Sequence, residues 1–177
     1  MNVIIFGPPG AGKGTQGAML AKKFNLFKVS TGDLLRKEIK NKTPISEKIK
    51  VIDKGKLVPD EIIGGLIENI LSNKKYCNRL IFDGYPRTLN QAENLDLLVK
   101  KHKQKISVIL SLKVDESDII KRIQGRETCS KCGLIFNKFF NPATEENHKC
   151  DKTFLHRRVD DTEKTLKNRF ETYGKKT

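Results

Sequence analysis

Tryptophan is absent from this chain of 177 residues, and aromatic residues make up only 7% of it. Without aromatic side chains interleaved with basic ones, the sequence argues against a nucleic-acid-binding module that stacks bases on rings. Long hydrophobic runs are also absent, since Val3–Phe6 and Ile106–Leu112 fall far short of the about 18–20 residues that span a membrane. No basic leader precedes the first apolar run, so no secretory signal is predicted. We therefore expect a cytoplasmic protein with no membrane partner.

Acidic residues are few relative to basic ones. The chain has 35 Lys and Arg against 21 Asp and Glu, a net charge of +14. Such an excess suggests an anionic partner, for example a nucleotide, a nucleic acid or an acidic surface. A solvated lysine-rich surface explains the same number, so the positions of the arginines decide between these interpretations.

Cysteine is scarce, with four residues at Cys77, Cys129, Cys132 and Cys150. In a reducing compartment we expect no disulfide bonds between them. Three of the four cluster with a spacing typical of metal ligands. Cys77 is expected to be a small core residue.

Short apolar segments alternate with segments of helical character. The predicted strands are Val3–Phe6, Phe27–Val29, Arg79–Phe82 and Ile106–Leu112, and the predicted helices are Thr15–Phe24, Thr43–Lys54, Asp60–Ser72, Leu89–Lys101, Asp115–Gln124 and Asp161–Tyr173, with a further helix starting near Ser30. In the first helix, Met19, Leu20 and Phe24 are candidate core positions. This alternation predicts an α/β fold with a parallel sheet and right-handed crossovers.

Two stretches interrupt the alternation. Residues 30–59 are helical without a strand of their own, and residues 125–160 have no helical period. We interpret both as insertions over the carboxyl edge of the sheet, where ligands of such folds bind. Insertions at that edge can serve as lids.

A glycine-rich segment, Gly7–Thr15 (GPPGAGKGT), follows the first strand and opens the first helix. This is the context that a phosphate-binding P-loop requires. Backbone N–H groups of such a loop surround a phosphate, and Lys13 supplies a mobile cation. Gly14 stands where the usual pattern has Ser or Thr, so Thr15 must supply the hydroxyl for the metal-bound phosphates.

Four motifs together resemble the adenylate kinase family. They are GPPGAGKGTQ at 7–16, STGDLLR at 30–36, DGYPRT at 83–88 and RVDD at 158–161, in the family's order and spacing. The resemblance implies reversible phosphoryl transfer, ATP + AMP = 2 ADP, with Mg as cofactor and ATP, AMP and ADP as partners. It implies a P-loop NTPase-like parallel sheet flanked by helices, with core at 1–29, 60–124 and 162–177, an AMP-binding insert at 30–59 and a lid at 125–161. A monomer is expected.

The resemblance also assigns roles to residues. The expected catalytic residues are Lys13, Arg87, Arg126, Arg158 and Arg169. ATP is expected to bind Gly10, Ala11, Gly12, Lys13, Gly14, Thr15, Arg122, Arg126, Ile135 and Phe136. AMP is expected to bind Thr31, Arg36, Lys56, Leu57, Val58, Gly84, Tyr85, Pro86, Arg87, Gln91, Arg158 and Arg169. Asp83 is expected to organise Mg²⁺ through water, and Asp33 either helps it or caps a helix.

The chemistry is expected to be a direct in-line transfer. Planar guanidinium groups bind phosphate oxygens bidentately, which suits neutralisation of the transferring group. No residue resembles an activated nucleophile, and none of the three histidines needs a catalytic role. No phospho-enzyme is therefore expected.

The lid resembles that of zinc-carrying adenylate kinases, where four ligands form a tetrahedral site. Cys129, Cys132 and Cys150 match three ligand positions, and Thr153 occupies the fourth. A threonine hydroxyl is a poor zinc ligand and suits the hydrogen-bonded lids of zinc-free members. Water, Asp151 or His148 could complete a zinc site instead, so zinc-bound and metal-free lids both remain open.

Other functions account for less of the sequence. A kinase for UMP, CMP or GMP shares the P-loop but typically lacks a long cysteine-containing lid. A basic nucleic-acid-binding module explains the charge but not the P-loop, and an inactive ATP-binding remnant explains only the chain's end. The family's chain continues beyond the position of Thr177 with another parallel strand and a final helix. We therefore expect the fourth strand to lie at an open edge of the sheet.

Overall fold

A parallel four-stranded sheet forms the centre of the computed structural model, which describes residues 1–49, 58–158 and 161–177. Its strands are β1 (Asn2–Phe6), β2 (Phe27–Ser30), β3 (Leu80–Asp83) and β4 (Ile106–Ser111), in the order β2-β3-β1-β4. All three strand pairs are parallel. The predicted α/β class is therefore confirmed, and the carboxyl ends of the strands share one edge.

Helices flank this sheet. They are α1 (Lys13–Phe24), α2 (Thr31–Lys40), α3 (Ser46–Ile49), α4 (Asp60–Leu71), α5 (Leu89–Lys101), α6 (Glu116–Gln124) and α7 (Glu163–Lys176). Hydroxyl caps fix several of the starts. The side chain of Ser30 accepts from the N–H of Asp33, and that of Thr88 accepts from the N–H of Gln91. Of the helix predicted over Thr43–Lys54, residues 43–45 are not helical, α3 covers Ser46–Ile49, and residues 50–54 lie outside the described part of the chain.

The core lies on both faces of the central strands. Leu80, Ile81 and Phe82 of β3 are completely buried, as expected for a strand covered on both faces. By contrast, β4 lies at the edge, with Val108 37% and Ile109 59% exposed. The open edge at the fourth strand agrees with the expectation. In the described part of the chain no helix is long and apolar enough to cross a membrane.

Three burial expectations were wrong. Met19 is 62% exposed, because it lies two residues, or about 200°, around α1 from the buried Gly17. Phe24 is 49% exposed at the last position of α1, whereas Leu20 does pack against the core. Cys77 is exposed rather than a core residue.

A small antiparallel sheet occupies the second interruption of the alternation. Its strands are β5 (Arg126–Cys129), β6 (Ile135–Asn137) and β7 (Leu155–His156), with β5 in the middle. These strands were not predicted, because each has only two to four residues, too few for an alternating pattern. This sheet and its connections, residues 126–156, are called the lid sheet below.

Candidate active site

The loop between β1 and α1 has the geometry of a phosphate cradle. Gly10 and Gly12 have φ of 79° and 91°, which side-chain-bearing residues rarely adopt. A Cβ at Gly10 would lie 2.6 Å from the Cγ2 atom of Ile119, so this position has no room for a larger residue. The loop leads directly into α1, whose N-terminal N–H groups favour an anion.

Lys13 is folded against this loop. Its ammonium donates to the carbonyl oxygens of Gly7 at 2.7 Å and Pro8 at 2.8 Å. Burial lowers the pKa of Lys13 to about 8; Asp83 opposes that change, and Arg87, Arg126 and Arg169 add to it. Lys13 therefore carries its charge at neutral pH but loses it in mildly alkaline solution.

One cavity of about 480 Å³ lies over the loop. All six arginines predicted to face phosphates contribute to its walls: Arg36, Arg87, Arg122, Arg126, Arg158 and Arg169. They come from three helices, a strand and two loops that are far apart in sequence. So many cations around one cavity fit a ligand that carries several negative charges.

Arg126 is held by a buried carboxylate. Its Nε atom donates to Asp161 at 2.7 Å, and a second guanidinium nitrogen donates to the other carboxylate oxygen. The Asp161 side chain is completely buried. Such a bidentate pair fixes the plane of the guanidinium at the edge of the cavity.

Asp33 holds two further arginines. Its Oδ1 atom lies 2.5 Å from Arg36 and 3.8 Å from Arg158. Burial favours the neutral acid, but the hydrogen bond and charge of Arg36, together with the charge of Arg158, outweigh it and lower the pKa of Asp33. Since Ser30 is the cap of α2, Asp33 does not cap this helix.

Asp83 ends β3 and faces the loop. A Cβ at Gly14 would lie 3.4 Å from its Oδ2 atom, and the side chain lines the cavity. Lys28 lies 4.0 Å from the same oxygen and 3.4 Å from the carbonyl of Gly14. Sequence reasoning missed Lys28, because it lies within β2 and outside the four motifs.

The lid sheet reaches over the phosphate loop. The Cδ1 atom of Ile135 lies 3.6 Å from the position that a Cβ atom at Gly14 would take. A guanidinium nitrogen of Arg122 lies 4.0 Å from the position that a Cβ atom at Gly12 would take. Phe136 lines the same cavity. The predicted ATP-base residues are thus next to the predicted ATP-phosphate residues.

The predicted AMP residues form two groups. Arg36, Gly84, Pro86, Arg87, Arg158 and Arg169 line the cavity, whereas Thr31, Val58, Tyr85 and Gln91 are buried behind it. The Thr31 hydroxyl donates to the carbonyl of Gly84 at 2.9 Å. Lys56 and Leu57 lie outside the described residues.

Four side chains gather at one end of the lid sheet. Ligand atoms of Cys129, Cys132, His148 and Cys150 all lie within 4.8 Å of one another. His148 is 6% exposed, and its Nε2 atom has no hydrogen-bond partner in the described part of the chain. The Thr153 hydroxyl instead donates to Asp151 at 2.7 Å. The predicted thiols are therefore together, with an imidazole as the fourth group near them.

The thiols affect one another's ionisation. Burial opposes ionisation of Cys129, but hydrogen bonds from the N–H of Cys132, from His148 and from the N–H of Lys131 lower its pKa to about 6. Burial and the neighbouring thiols Cys132 and Cys129 raise the pKa of Cys150 to about 11. A second thiolate is thus disfavoured unless a cation accompanies it.

Comparison with known proteins identifies similar chains. The family model described as adenylate kinase matches residues 5–177. An adenylate kinase of Pelagibacter ubique is 47% identical over 178 residues, covering 100% of this chain and 84% of the relative. Adenylate kinases of Methanothrix thermoacetophila and Clostridium botulinum are 42% and 44% identical over 180 residues, each covering 100% of this chain and 83% of the relative.

Proposed function

The chain belongs to the adenylate kinase family, and from this we propose how its own residues carry out the reaction ATP + AMP = 2 ADP. The reaction is a reversible phosphoryl transfer, and adenylate kinases use Mg with ATP. One observation carries the assignment of roles: six arginines and Lys13 surround a single cavity over the phosphate loop.

ATP binds between the loop and the lid sheet. Backbone N–H groups of Gly10–Thr15 receive the phosphates, and Lys13 leaves the loop carbonyls to follow them. Arg122 stacks on the adenine, with Ile135 and Phe136 beside it. The close approach of Ile135 and Arg122 to the loop supports this arrangement.

AMP binds on the opposite side of the cavity. Arg36 and Arg87 hold its phosphate, while Thr31, Val58, Gln91 and the Gly84–Arg87 segment surround its base, together with Lys56 and Leu57. The positions of Arg36, Gly84 and Arg87 on the cavity wall support this assignment.

The transfer is direct and in line. Phosphoryl transfer needs positioning and neutralisation of charge on the moving group more than covalent chemistry. Arg126, Arg158 and Arg169, together with Lys13 and Arg87, supply that neutralisation. Residues 30–59 and 125–161 exclude water as the AMP-binding insert and the lid, which prevents hydrolysis of ATP.

Magnesium fits the oxygen donors of the site. The Asp83 carboxylate and the Thr15 hydroxyl line the cavity beside the loop, and Mg²⁺ prefers such ligands, partly through water. The bound ion neutralises charge on the β- and γ-phosphates. Asp83 organises it, and Thr15 faces the same phosphates.

Zinc fits the lid cluster. Three thiols and an imidazole form a Cys₃His set, which is a common tetrahedral zinc environment. The imidazole of His148 and the three thiols, with ligand atoms all within 4.8 Å of one another, support a metal site there. A zinc ion held there would have a structural role, because its ligands would come from the strand end at Cys129 and from the loop at His148 and Cys150. A cytoplasmic location and a monomeric state remain our predictions.

The roles are tested by ADP formation from Mg·ATP with AMP, UMP, CMP or GMP as acceptor. We expect AMP alone to be converted. Replacing Arg126 by Lys keeps the charge but loses bidentate contact, so kcat is expected to fall by about 10³-fold while the KM values change little. The matched control is Arg79→Lys, at an exposed arginine that donates to the carbonyl of Asn25 and does not line the cavity. This change is expected to leave kcat unchanged. Equal effects of the two changes would contradict the proposed roles, and conversion of another acceptor would contradict those of Thr31 and Gln91.

A further inference from the structure

The carboxylate of Asp60 joins the starts of two helices. Asp60 is the first residue of α4, and its Oδ1 atom accepts from the Nε2 atom of Gln91 at 2.6 Å. Its Oδ2 atom accepts from the hydroxyl of Thr88, the cap of α5, at 3.2 Å. Both contacts lead toward the base side of the proposed AMP site.

The amide of Gln91 is held from two sides. Its Oε1 atom accepts from the backbone N–H of Arg87 at 2.7 Å, and the residue is only 1% exposed. An N–H group can only donate, and an ionised carboxylate can only accept. Exchanging the amide oxygen and nitrogen would therefore place two donors against each other and two acceptors against each other. Gln91 has one favourable orientation before any nucleotide arrives.

This orientation leaves a defined pattern for a ligand. An amide oxygen accepts two hydrogen bonds and an amide nitrogen donates two, and Arg87 and Asp60 use one of each. One acceptor and one donor remain, in fixed order. Adenine presents an amino donor at position 6 beside the acceptor N1, which matches that order. A 6-oxopurine presents an acceptor beside a donor and needs the reversed amide.

We propose that Asp60 is a positioning residue that sets the preference of the acceptor site for a 6-aminopurine over a 6-oxopurine. The inference rests on the proposed contact between Gln91 and the base of AMP. Asp60 acts through Gln91 and does not touch the nucleotide itself. A base that reaches Gln91 therefore meets an amide whose orientation is already set.

The test compares AMP with inosine monophosphate, which differs from it at position 6 and N1 of the base. An asparagine at position 60 has the same shape, but its amide can donate or accept, so only the N–H of Arg87 still favours one orientation of Gln91. Asp60→Asn is expected to lower the ratio of kcat/KM for AMP to that for inosine monophosphate by about tenfold, the effect of losing one hydrogen bond to a charged group. The KM for ATP stays unchanged.

Two further changes make the outcome decisive. Glu61→Gln removes the same charge from the neighbouring, exposed position of α4 and is expected to leave the ratio unchanged. If Asp60→Asn does not fold, as judged by circular dichroism, Asp60→Ala replaces it with the same expected fall. An unchanged ratio, with both acceptors losing activity equally, would overturn the inference and leave Asp60 a structural residue. Gln91→Leu tests separately the premise that Gln91 contacts the base of AMP. An unchanged KM for AMP in that variant would overturn this contact as well.

Discussion

Replacing His148 should remove most of the zinc affinity of the lid, whereas replacing Thr153 should not. His148 is buried within 4.8 Å of three thiols, whereas the Thr153 hydroxyl is engaged by Asp151. Structural zinc binds peptides with on the order of 10 kcal/mol, so an equal share among four ligands is roughly 2.5 kcal/mol each. His148→Ala should therefore weaken zinc binding by roughly 70-fold.

The assay is competition between the protein and a chromophoric chelator, with the metal content measured by mass spectrometry. We expect about one zinc per wild-type chain, from the Cys₃His set found among the described residues. His156→Ala is the matched control, because this histidine is exposed and its Nδ1 atom lies 3.3 Å from the carbonyl oxygen of Phe154 rather than in the cluster. Thr153→Val tests the position that the family pattern favours.

Three results would refute this reasoning. If Thr153→Val lowered zinc affinity as much as His148→Ala, the hydroxyl would be the fourth ligand. If the wild-type chain bound no zinc after loading at neutral pH, the four side chains would form a metal-free lid. A loss in His156→Ala equal to that in His148→Ala would show that the effect is not specific to the cluster.

The alkaline side of the pH profile should report Lys13. Since its pKa in the free protein is about 8 and only the protonated form binds phosphate, kcat/KM for ATP should be constant below that pH and fall above it. In Lys13→Arg the guanidinium stays charged, so the fall should disappear even though the rate is lower; a fall at the same pH in this variant would exclude Lys13 as its cause. Gly10→Ala should destabilise the fold by about 1–2 kcal/mol through the positive φ alone, with more from the contact with Ile119, as measured by urea unfolding. Ala substitution at Gly65, where a Cβ would meet nothing within 4 Å, should be neutral or stabilising in the same assay, and equal effects at both positions would contradict the explanation.

The sequence predicted the elements that carry strong local patterns. The helix bounds Leu89–Lys101 agree with α5, because Thr88 supplies a recognisable cap and the helix is long. The strands of the lid sheet were not predicted, because strands of two to four residues are too short to show a hydrophobic period. Met19 was misplaced because apolar character alone does not reveal the rotation of α1 relative to the sheet.

The candidate site was predicted where a motif contains the residue itself. Lys13, Arg36, Arg87 and Arg158 lie within the four motifs, and the family resemblance added Arg122, Arg126 and Arg169. The structure brings all seven to one cavity. Lys28, Asp60 and His148 in its cluster position depend on contacts between distant segments. Asp60 reaches Gln91 across 31 positions, and no spacing along the chain indicates that hydrogen bond.

The carboxylate of Asp33 also bears on how fast products leave. It lies 2.5 Å from Arg36 and 3.8 Å from Arg158, so under the proposed roles it competes with phosphate for the same guanidinium groups. Under the same proposal, a phosphate that binds these arginines displaces the carboxylate of Asp33, and the carboxylate returns when the phosphate leaves. The arginines are thus never left as uncompensated charges, and part of the attraction that would otherwise retain ADP is cancelled within the protein. A site with so much positive charge can in this way release a highly charged product in each catalytic cycle.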